Sequence, residues 1–295
     1  MGEPTNLKTR FIFDQMPIRG LHVRLEDVWR HIAGRKRYPA AVRRALGELT
    51  AACVLLSGGL KQGGKLIMQI QGKGRLKMLV AETTSEQTCR ATAHWDEGAS
   101  IGGTEGLADL LGEGGIFAIT MRPDEGEPWQ GIVPPEGEGI AAMLENYMRR
   151  SEQVETRILL AADSQSANGL LLQRLPEEGG DGDWEHVCVL ADTVTRRELS
   201  DLDAQRLLYR LFHETPPRVF TPDVLEFSCN CSRGKVSDLL LMLGAAEVGT
   251  VVAEEGSITI GCDFCNEQYV FDETDVNALF GGDIVHAETE IHRIQ

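Results

Sequence analysis

Apolar residues recur with two spacings along the first 175 positions of the chain. Apolar side chains three to four positions apart predict helices over Val42–Leu56 and Gly139–Arg150. Shorter runs typical of strands cover Lys65–Gln71, Arg75–Glu82, Ile116–Arg122, Thr156–Ala162 and Gly169–Leu175. The first two runs form a predicted hairpin, and a turn is expected at Asn168-Gly169. Because strands dominate and do not alternate strictly with helices, we predict an α+β fold with a mixed sheet-and-helix core domain over residues 1–176.

An acidic, glycine-rich break at Glu177–Asp183 marks the first predicted boundary. Beyond it, Ser200 is a suitable N-cap for a helix over Asp201–Glu214, and Pro216-Pro217 ends the helical pattern. The apolar face of this helix consists of Leu207, Leu208, Leu211 and Phe212. A helix this short is marginal alone in water, so it must pack against the first domain or the C-terminal part. We predict a helical linker over residues 177–226.

A third, small domain is predicted over residues 227–295. Ser232 is placed to cap a helix that runs to Leu243 and ends at Gly244. The pattern then predicts strands over Ser257–Ile260 and Tyr269–Phe271, and a last helix over Glu273–Phe280 that Asp272 caps.

Four of the seven cysteines lie in this third domain with metal-binding spacing. Cys229 and Cys231 form a Cys-x-Cys pair, and Cys262 and Cys265 form a Cys-x-x-Cys pair thirty residues further on. Two such pairs make a tetrahedral four-thiolate zinc site with zinc–sulfur distances of about 2.3 Å. Since four protein ligands complete the coordination shell, we predict one zinc ion that is not set up for hydrolysis, and no catalytic residues.

The spacing alone favours a purely structural zinc ribbon, as in an enzyme or assembly factor whose zinc domain only holds its fold. Two features point instead to a redox switch. Cys-x-Cys is less usual than Cys-x-x-Cys, and zinc thiolates in a small exposed domain are accessible to oxidants. Oxidation would pair the sulfurs, expel zinc and remove the energy that holds the domain folded. The residues themselves leave both hypotheses open.

Charge and composition exclude several classes of partner. The chain has 45 acidic and 29 basic side chains, a formal net charge of −16, and between Glu226 and Asp275 ten residues are acidic and two are basic. This balance argues against binding of nucleic acid and of anionic membrane surfaces. No apolar run approaches the about 18 residues that span a bilayer, and the first ten residues lack an export signal. We therefore expect a cytoplasmic protein without structural disulfides.

Other motifs are weaker. The segment Gly59–Lys65 nearly matches a phosphate-binding loop, but Leu66 stands where Ser or Thr is needed and a strand follows. Cys53 is interpreted as a buried small apolar residue. The acidic segment Glu125–Glu138 is interpreted as a solvated loop. The sequence neighbours Cys188 and His186 carry little weight as a catalytic pair.

The cysteine motifs and their surroundings resemble the heat shock protein 33 family of redox-regulated chaperones. The resemblance lies in Phe227–Arg233, Gly261–Phe271, Asn146–Gln153, Gly169–Pro176, Leu208–Glu214, Arg19-Gly20 and Gln69–Gly72. It spans nearly the whole chain.

This resemblance implies an ATP-independent holdase that is inactive when reduced and zinc-bound. Oxidation would join Cys229 to Cys231 and Cys262 to Cys265, release zinc, and loosen the zinc domain and the linker. The oxidised form would dimerise and bind unfolded or partly unfolded client proteins. The linker face of Leu207, Leu208, Leu211 and Phe212 is the candidate client-binding surface, because exposed apolar patches bind other proteins.

Overall fold

The computed structural model describes residues 5–60, 63–134, 136–176 and 181–281. The chain divides into two compact units, Met1–Ser228 and Cys229–Gln295. The helices are α1 Asp27–Ala33, α2 Ala40–Leu56, α3 Leu107–Leu111, α4 Gly139–Arg150, α5 Asp181–Asp192, α6 Arg196–Asp201, α7 Ala204–Phe212, α8 Arg233–Leu243, α9 Ala245–Glu255 and α10 Glu273–Leu279. The strands are β1 Asn6–Ile12, β2 Ile18–Leu25, β3 Lys65–Gln71, β4 Leu76–Thr84, β5 Thr88–Trp95, β6 Ile116–Arg122, β7 Trp129–Val133, β8 Thr156–Ala162, β9 Ala167–Arg174, β10 Arg218–Val219, β11 Asp223–Val224, β12 Glu226–Phe227, β13 Ser257–Gly261 and β14 Gln268–Asp272. The predicted α+β class is confirmed.

Two six-stranded sheets and one central helix build the first unit. Sheet A has the order β10-β1-β2-β9-β8, with β11 also paired to β1, and sheet B has the order β12-β5-β4-β3-β6-β7. Helix α2 packs against strands of both sheets. Twelve of its 17 residues are therefore buried, whereas a surface helix would bury one face only. Cys53 lies among them, as predicted, and is 1% exposed.

The hairpin of β8 and β9 corrects one sequence prediction. Asn168 and Gly169, predicted as a turn, lie inside β9, which spans Ala167–Arg174 rather than Gly169–Leu175. The turn comes earlier, where the Asp163 carboxylate accepts hydrogen bonds from the backbone amides of Gln165 and Ser166. Gly169 serves packing instead, because a Cβ there would lie 2.6 Å from Cδ1 of Leu55 in α2.

Two further segments differ from the predictions. The acidic segment Glu125–Glu138, predicted as a loop, contains strand β7, since β7 pairs with β6 at the edge of sheet B. The second strand of the first hairpin spans Leu76–Thr84 rather than Arg75–Glu82. Of the predicted break at Glu177–Asp183, residues 177–180 lie outside the described residues, and α5 begins at Asp181.

The predicted linker helix is shorter than expected, and a separate helix, α6, precedes it. Its predicted N-cap, Ser200, lies within α6, whose own cap is Thr195 in a capping box with Glu198. Leu202 is extended at the end of α6, and the Asp203 side chain then accepts a hydrogen bond from Arg206 N and starts α7. The helix over Asp201–Glu214 is thus corrected to Ala204–Phe212, because Asp203 is a second N-cap inside it.

Helices α5, α6 and α7, which lie in the predicted linker, pack on the outer face of sheet A within the first unit. The shared apolar cluster consists of Phe11, Ile18, Ala161, Leu170 and Leu172 from the sheet, Phe13 directly after β1, and Val187, Ala191, Leu199, Leu207, Leu208, Leu211 and Phe212 from the linker. The support that a short helix needs therefore comes from the first domain.

The second unit holds α8, α9, α10 and the β13–β14 hairpin around five buried side chains: Leu240, Val248, Val252, Phe271 and Val276. Ser232 caps α8 and Asp272 caps α10, as predicted. Helix α9 was not predicted. Among the described residues no single helix is long and apolar enough to cross a membrane, and α8 with α9 meets that measure only as a pair bent by 108°.

Candidate metal centre

Four cysteine sulfurs converge in the second unit. The Sγ atoms of Cys229 and Cys262 are 3.6 Å apart, and those of Cys231 and Cys265 are 3.3 Å apart. All four lie within 4.8 Å of one another. Sulfurs that share a tetrahedral zinc ion are about 3.7 Å apart. Within the described ranges, no other group of three or more metal-binding side chains converges in this way.

A tight turn between β13 and β14 positions Cys262 and Cys265. The Cys262 amide donates to the carbonyl of Glu267 at 2.8 Å, and the Asn266 amide donates to the carbonyl of Cys262 at 2.8 Å. The turn needs one left-handed residue, which is Asn266 with φ of 60°. Asn adopts this conformation more readily than most residues. The turn thereby aims both sulfurs at one point.

The segment that carries Cys231 is tied to β14 and α10 by Arg233. Its guanidinium donates to the carbonyl of Val270 at 2.8 Å, pairs with Asp275 at 2.7 Å, and lies 4.1 Å from the Phe271 ring centre. The hydrogen bond between Arg233 and Asp275 lowers the pKa of the Asp275 carboxyl. Arg233 thus brings the first cysteine pair to the second through residues that are 37 to 42 positions away in sequence.

The surroundings of the sulfurs fit a metal ion. Without a cation, desolvation and the neighbouring thiols raise the pKa of Cys265 to about 12. A bound dication reverses this preference and holds such sulfurs as thiolates. The Tyr269 hydroxyl donates a hydrogen bond to Cys231 Sγ at 3.1 Å. An all-sulfur tetrahedral donor set suits a soft-ligand metal such as zinc.

The three other cysteines have different surroundings. Burial raises the pKa of Cys53 and raises that of Cys89 to about 12, and desolvation raises the pKa of Cys188 to about 11. A thiol with a raised pKa is a poor nucleophile at neutral pH. These three therefore lack the chemistry of a reactive thiolate.

The predicted client-binding side chains are buried in this structure. Leu207, Leu208, Leu211 and Phe212 are 0 to 3% exposed. The Phe212 ring packs edge-on against Phe13 with centroids 5.1 Å apart. These four side chains therefore lie in an apolar core of the first unit, whereas the four cysteines belong to the second unit.

Sequence reasoning missed the polar groups beneath and beside the linker. Asn168, fully buried on β9, donates to Ser200 in α6 at 3.4 Å. Burial, together with nearby Arg24, lowers the pKa of His22 to about 4. At the edge, Arg157 of β8 pairs with Asp192 of α5 at 2.6 Å. No local pattern could identify these groups, because their partners are far away in sequence.

Comparisons with known proteins identify the family and the fold. The family model described as Hsp33 protein matches residues 6–272. The chain is 68% identical over 281 residues to a protein named 33 kDa chaperonin from Neisseria meningitidis serogroup A, covering 95% of this chain and 93% of that protein. It is 49% identical over 286 residues to the 33 kDa chaperonin of Chromobacterium violaceum, covering 95% and 96% of the two chains.

A solved structure shares the fold. The crystal structure of the 33 kDa chaperonin (heat shock protein 33 homolog) from Thermotoga maritima matches with a TM-score of 0.83 at 22% identity, covering 95% of this chain and 99% of that one. The resemblance stated from the sequence is confirmed by the family match and the identities. The chain belongs to the Hsp33 family of chaperones.

Proposed function

We propose that this chaperone is a redox-regulated, ATP-independent holdase with no catalytic turnover, acting in the cytoplasm under oxidative stress. The observation that carries the proposal is the convergence of four thiols in a unit whose described residues, 229–281, form a core of five buried apolar side chains. The proposed segments are the core over 1–176, the linker over 177–226 and the switch domain over 227–295.

Zinc, bound by Cys229, Cys231, Cys262 and Cys265, would keep the four sulfurs deprotonated and would supply about 10–16 kcal/mol of apparent binding energy, the range for structural zinc in small domains. Five buried side chains form a small core for a unit that spans two helices, a hairpin and a third helix. The unit therefore depends on the sulfurs remaining ligands. This dependence supports a switch, since chemistry at the sulfurs alone removes the main stabilising term.

Oxidation converts ligands into disulfides. Two molecules of hydrogen peroxide accept four electrons from four thiolates and become four hydroxide ions. Two disulfides form, and the sulfurs would no longer be the thiolate ligands that hold the metal. The sulfur distances of 3.6 and 3.3 Å do not select among pairings in the folded site. The pairs Cys229–Cys231 and Cys262–Cys265 are proposed because the resemblance to the family implies them, and neighbours in sequence also stay within reach as the unit unfolds.

The apolar cluster between the linker and sheet A supports the choice of client surface. Release of α7 would expose Leu207, Leu208, Leu211 and Phe212 together with the other members of the cluster, among them Phe11 and Leu170 of sheet A and Phe13 directly after β1. Unfolded or partly unfolded proteins would bind these apolar surfaces. We propose that the oxidised form is a homodimer, and that neither nucleic acid nor membranes are partners, in line with the charge of −16.

The test treats reduced, zinc-loaded protein with peroxide at mildly raised temperature. A chelating dye measures zinc release, and light scattering measures the aggregation of a heat-unfolding client enzyme. We expect release of one zinc per chain and suppression of scattering, both reversed by a thiol reductant with added zinc. Cys188→Ser is the matched control, because Cys188 lies outside the cysteine group, and it should respond like the wild type.

Two results would separate the proposal from its alternative. Zinc release without suppression of aggregation would favour an enzyme or assembly factor with a purely structural zinc ribbon. Suppression of aggregation by the reduced, zinc-loaded protein at full strength would exclude redox control.

A further inference from the structure

The sulfur of Cys231 has a side-chain hydrogen-bond donor. The Tyr269 hydroxyl lies 3.1 Å from Cys231 Sγ and donates to it. Cys265, by comparison, interacts with the backbone of Glu267. A backbone donor comes with the turn itself, whereas a tyrosine hydroxyl can be removed by replacing one oxygen atom. The structure thus contains a separable contact to a single ligand.

The two partners of this contact are held on segments that are fixed to each other. Tyr269 lies in β14 opposite Ile260 of β13. Cys231 lies two residues before Arg233, which donates to the carbonyl of Val270, the residue after Tyr269. Arg233 also pairs with Asp275 at 2.7 Å. The hydroxyl is therefore held next to the sulfur by contacts on both segments.

A hydrogen bond to a thiolate withdraws electron density from the sulfur and weakens it as a nucleophile. Attack of a thiolate on peroxide forms a sulfur–oxygen bond, breaks the oxygen–oxygen bond and releases hydroxide. A neighbouring thiolate then displaces a second hydroxide to form the disulfide. The hydrogen bond is stronger to the thiolate than to the oxidised sulfur, which carries less charge. Its loss should therefore favour oxidation.

We propose that Tyr269 is a positioning residue that restrains the oxidation of Cys231 and so sets the peroxide level at which the protein responds. This inference rests on the proposed function, because it assumes that oxidation of the metal-bound sulfurs is the trigger. It adds a residue outside the four ligands that adjusts the sensitivity of that trigger.

The test compares Tyr269→Phe with the wild type, both loaded with zinc. Because a hydrogen bond contributes a factor of about five to an equilibrium or rate, we expect zinc release by peroxide to be about fivefold faster in the variant. Brief labelling with a thiol alkylating agent, mapped by mass spectrometry, should show faster modification at Cys231 than at the other three ligands. Tyr209→Phe is the matched control, since Tyr209 is 72% exposed on α7, and it should leave both rates unchanged.

Each other outcome decides against the inference. Faster labelling at all four ligands would mean that Tyr269 only stabilises the unit. A variant that binds less than one zinc per chain would assign the residue to folding. Rates within twofold of the wild type would show that the hydrogen bond does not restrain Cys231, while leaving the proposed function intact. A wild-type protein that binds no zinc would overturn both.

Discussion

Replacing Phe212 with alanine should release the linker without any oxidant. Phe212 is 3% exposed, and its ring packs edge-on against that of Phe13. The Phe13 ring packs in turn against that of Phe11, with the ring centroids 6.1 Å apart. Helix α7 has nine residues, so it depends on this packing rather than on its own helical propensity. The substitution removes an anchor from the helix while leaving the four cysteines untouched.

The size of the effect follows from the surroundings of the ring. Phe→Ala in a core costs about 3–5 kcal/mol. A cavity of about 280 Å³ already borders Phe212, Phe13 and Leu211, so the ring is not enclosed on all sides. We therefore use the lower end, about 3 kcal/mol, which multiplies the equilibrium constant for opening of α7 by roughly 150.

The assay measures two quantities on reduced, zinc-loaded protein. Hydrogen exchange should show the amides of α7 exchanging roughly 150-fold faster. Light scattering should show suppressed aggregation of a client without peroxide, because Leu207, Leu208 and Leu211 remain to bind it. Tyr209→Ala, on the same helix at 72% exposure, should change neither quantity. Fast exchange without suppression would refute the proposal that an open linker supplies the client surface, and unchanged exchange would refute the energetic argument.

Three further substitutions test other parts of the structure. Cys265→Ser should abolish tight zinc binding, since a four-thiolate site loses one ligand. It should also remove the protection of the α8 and α10 amides in hydrogen exchange. A variant that retains one zinc per chain would contradict this prediction. His22→Leu should reduce the loss of stability in acid. Folding lowers the pKa of His22 from 6.5 to about 4, so the unfolded state takes up more protons below pH 6.5. Between pH 7 and pH 5 the wild type should lose about 2 kcal/mol that the variant keeps, measured by urea unfolding at both pH values; equal losses would exclude this role. Phe227→Ala should loosen β12, because the Phe227 ring contacts His31 at 4.2 Å and lies under Arg35 at 5.7 Å. Loss of this partly buried ring should cost about 1–2 kcal/mol and make hydrogen exchange at β12 faster, and unchanged exchange there would count against the prediction.

The sequence predicts the cysteine site more completely than it predicts the linker. The spacing of the four cysteines predicts that their sulfurs meet at one point, and the sulfurs of Cys229, Cys231, Cys262 and Cys265 do converge in the structure. The turn that aims the second pair is local, so a sequence pattern can encode it. Helix α2 was predicted within two residues of its start, because its apolar period is long and regular.

The linker shows where local patterns stop being informative. Ser200 and Asp203 are both good caps, and only the structure decides that Asp203 starts α7 while Ser200 faces Asn168 of β9. The packing face of sheet A is a non-local property. His22 on β2 and Asn168 on β9 share that face because of the register between the two strands. This register cannot be predicted from the sequence of either strand alone.

In the proposed mechanism, the segment between α7 and Cys229 would carry a change at the cysteines to the linker. Three strands of two residues each hold it to the first unit: β10 and β11 pair with β1, and β12 pairs with β5. Such short ladders are weak, since each fixes few hydrogen bonds. Strand β1, however, also carries Phe11 and is followed directly by Phe13, and both side chains share an apolar cluster with α7. In the proposed mechanism, loss of the metal would loosen this segment without removing the packing of α7. Opening of the linker would need further energy, which is why the test of function combines the oxidant with mild heat.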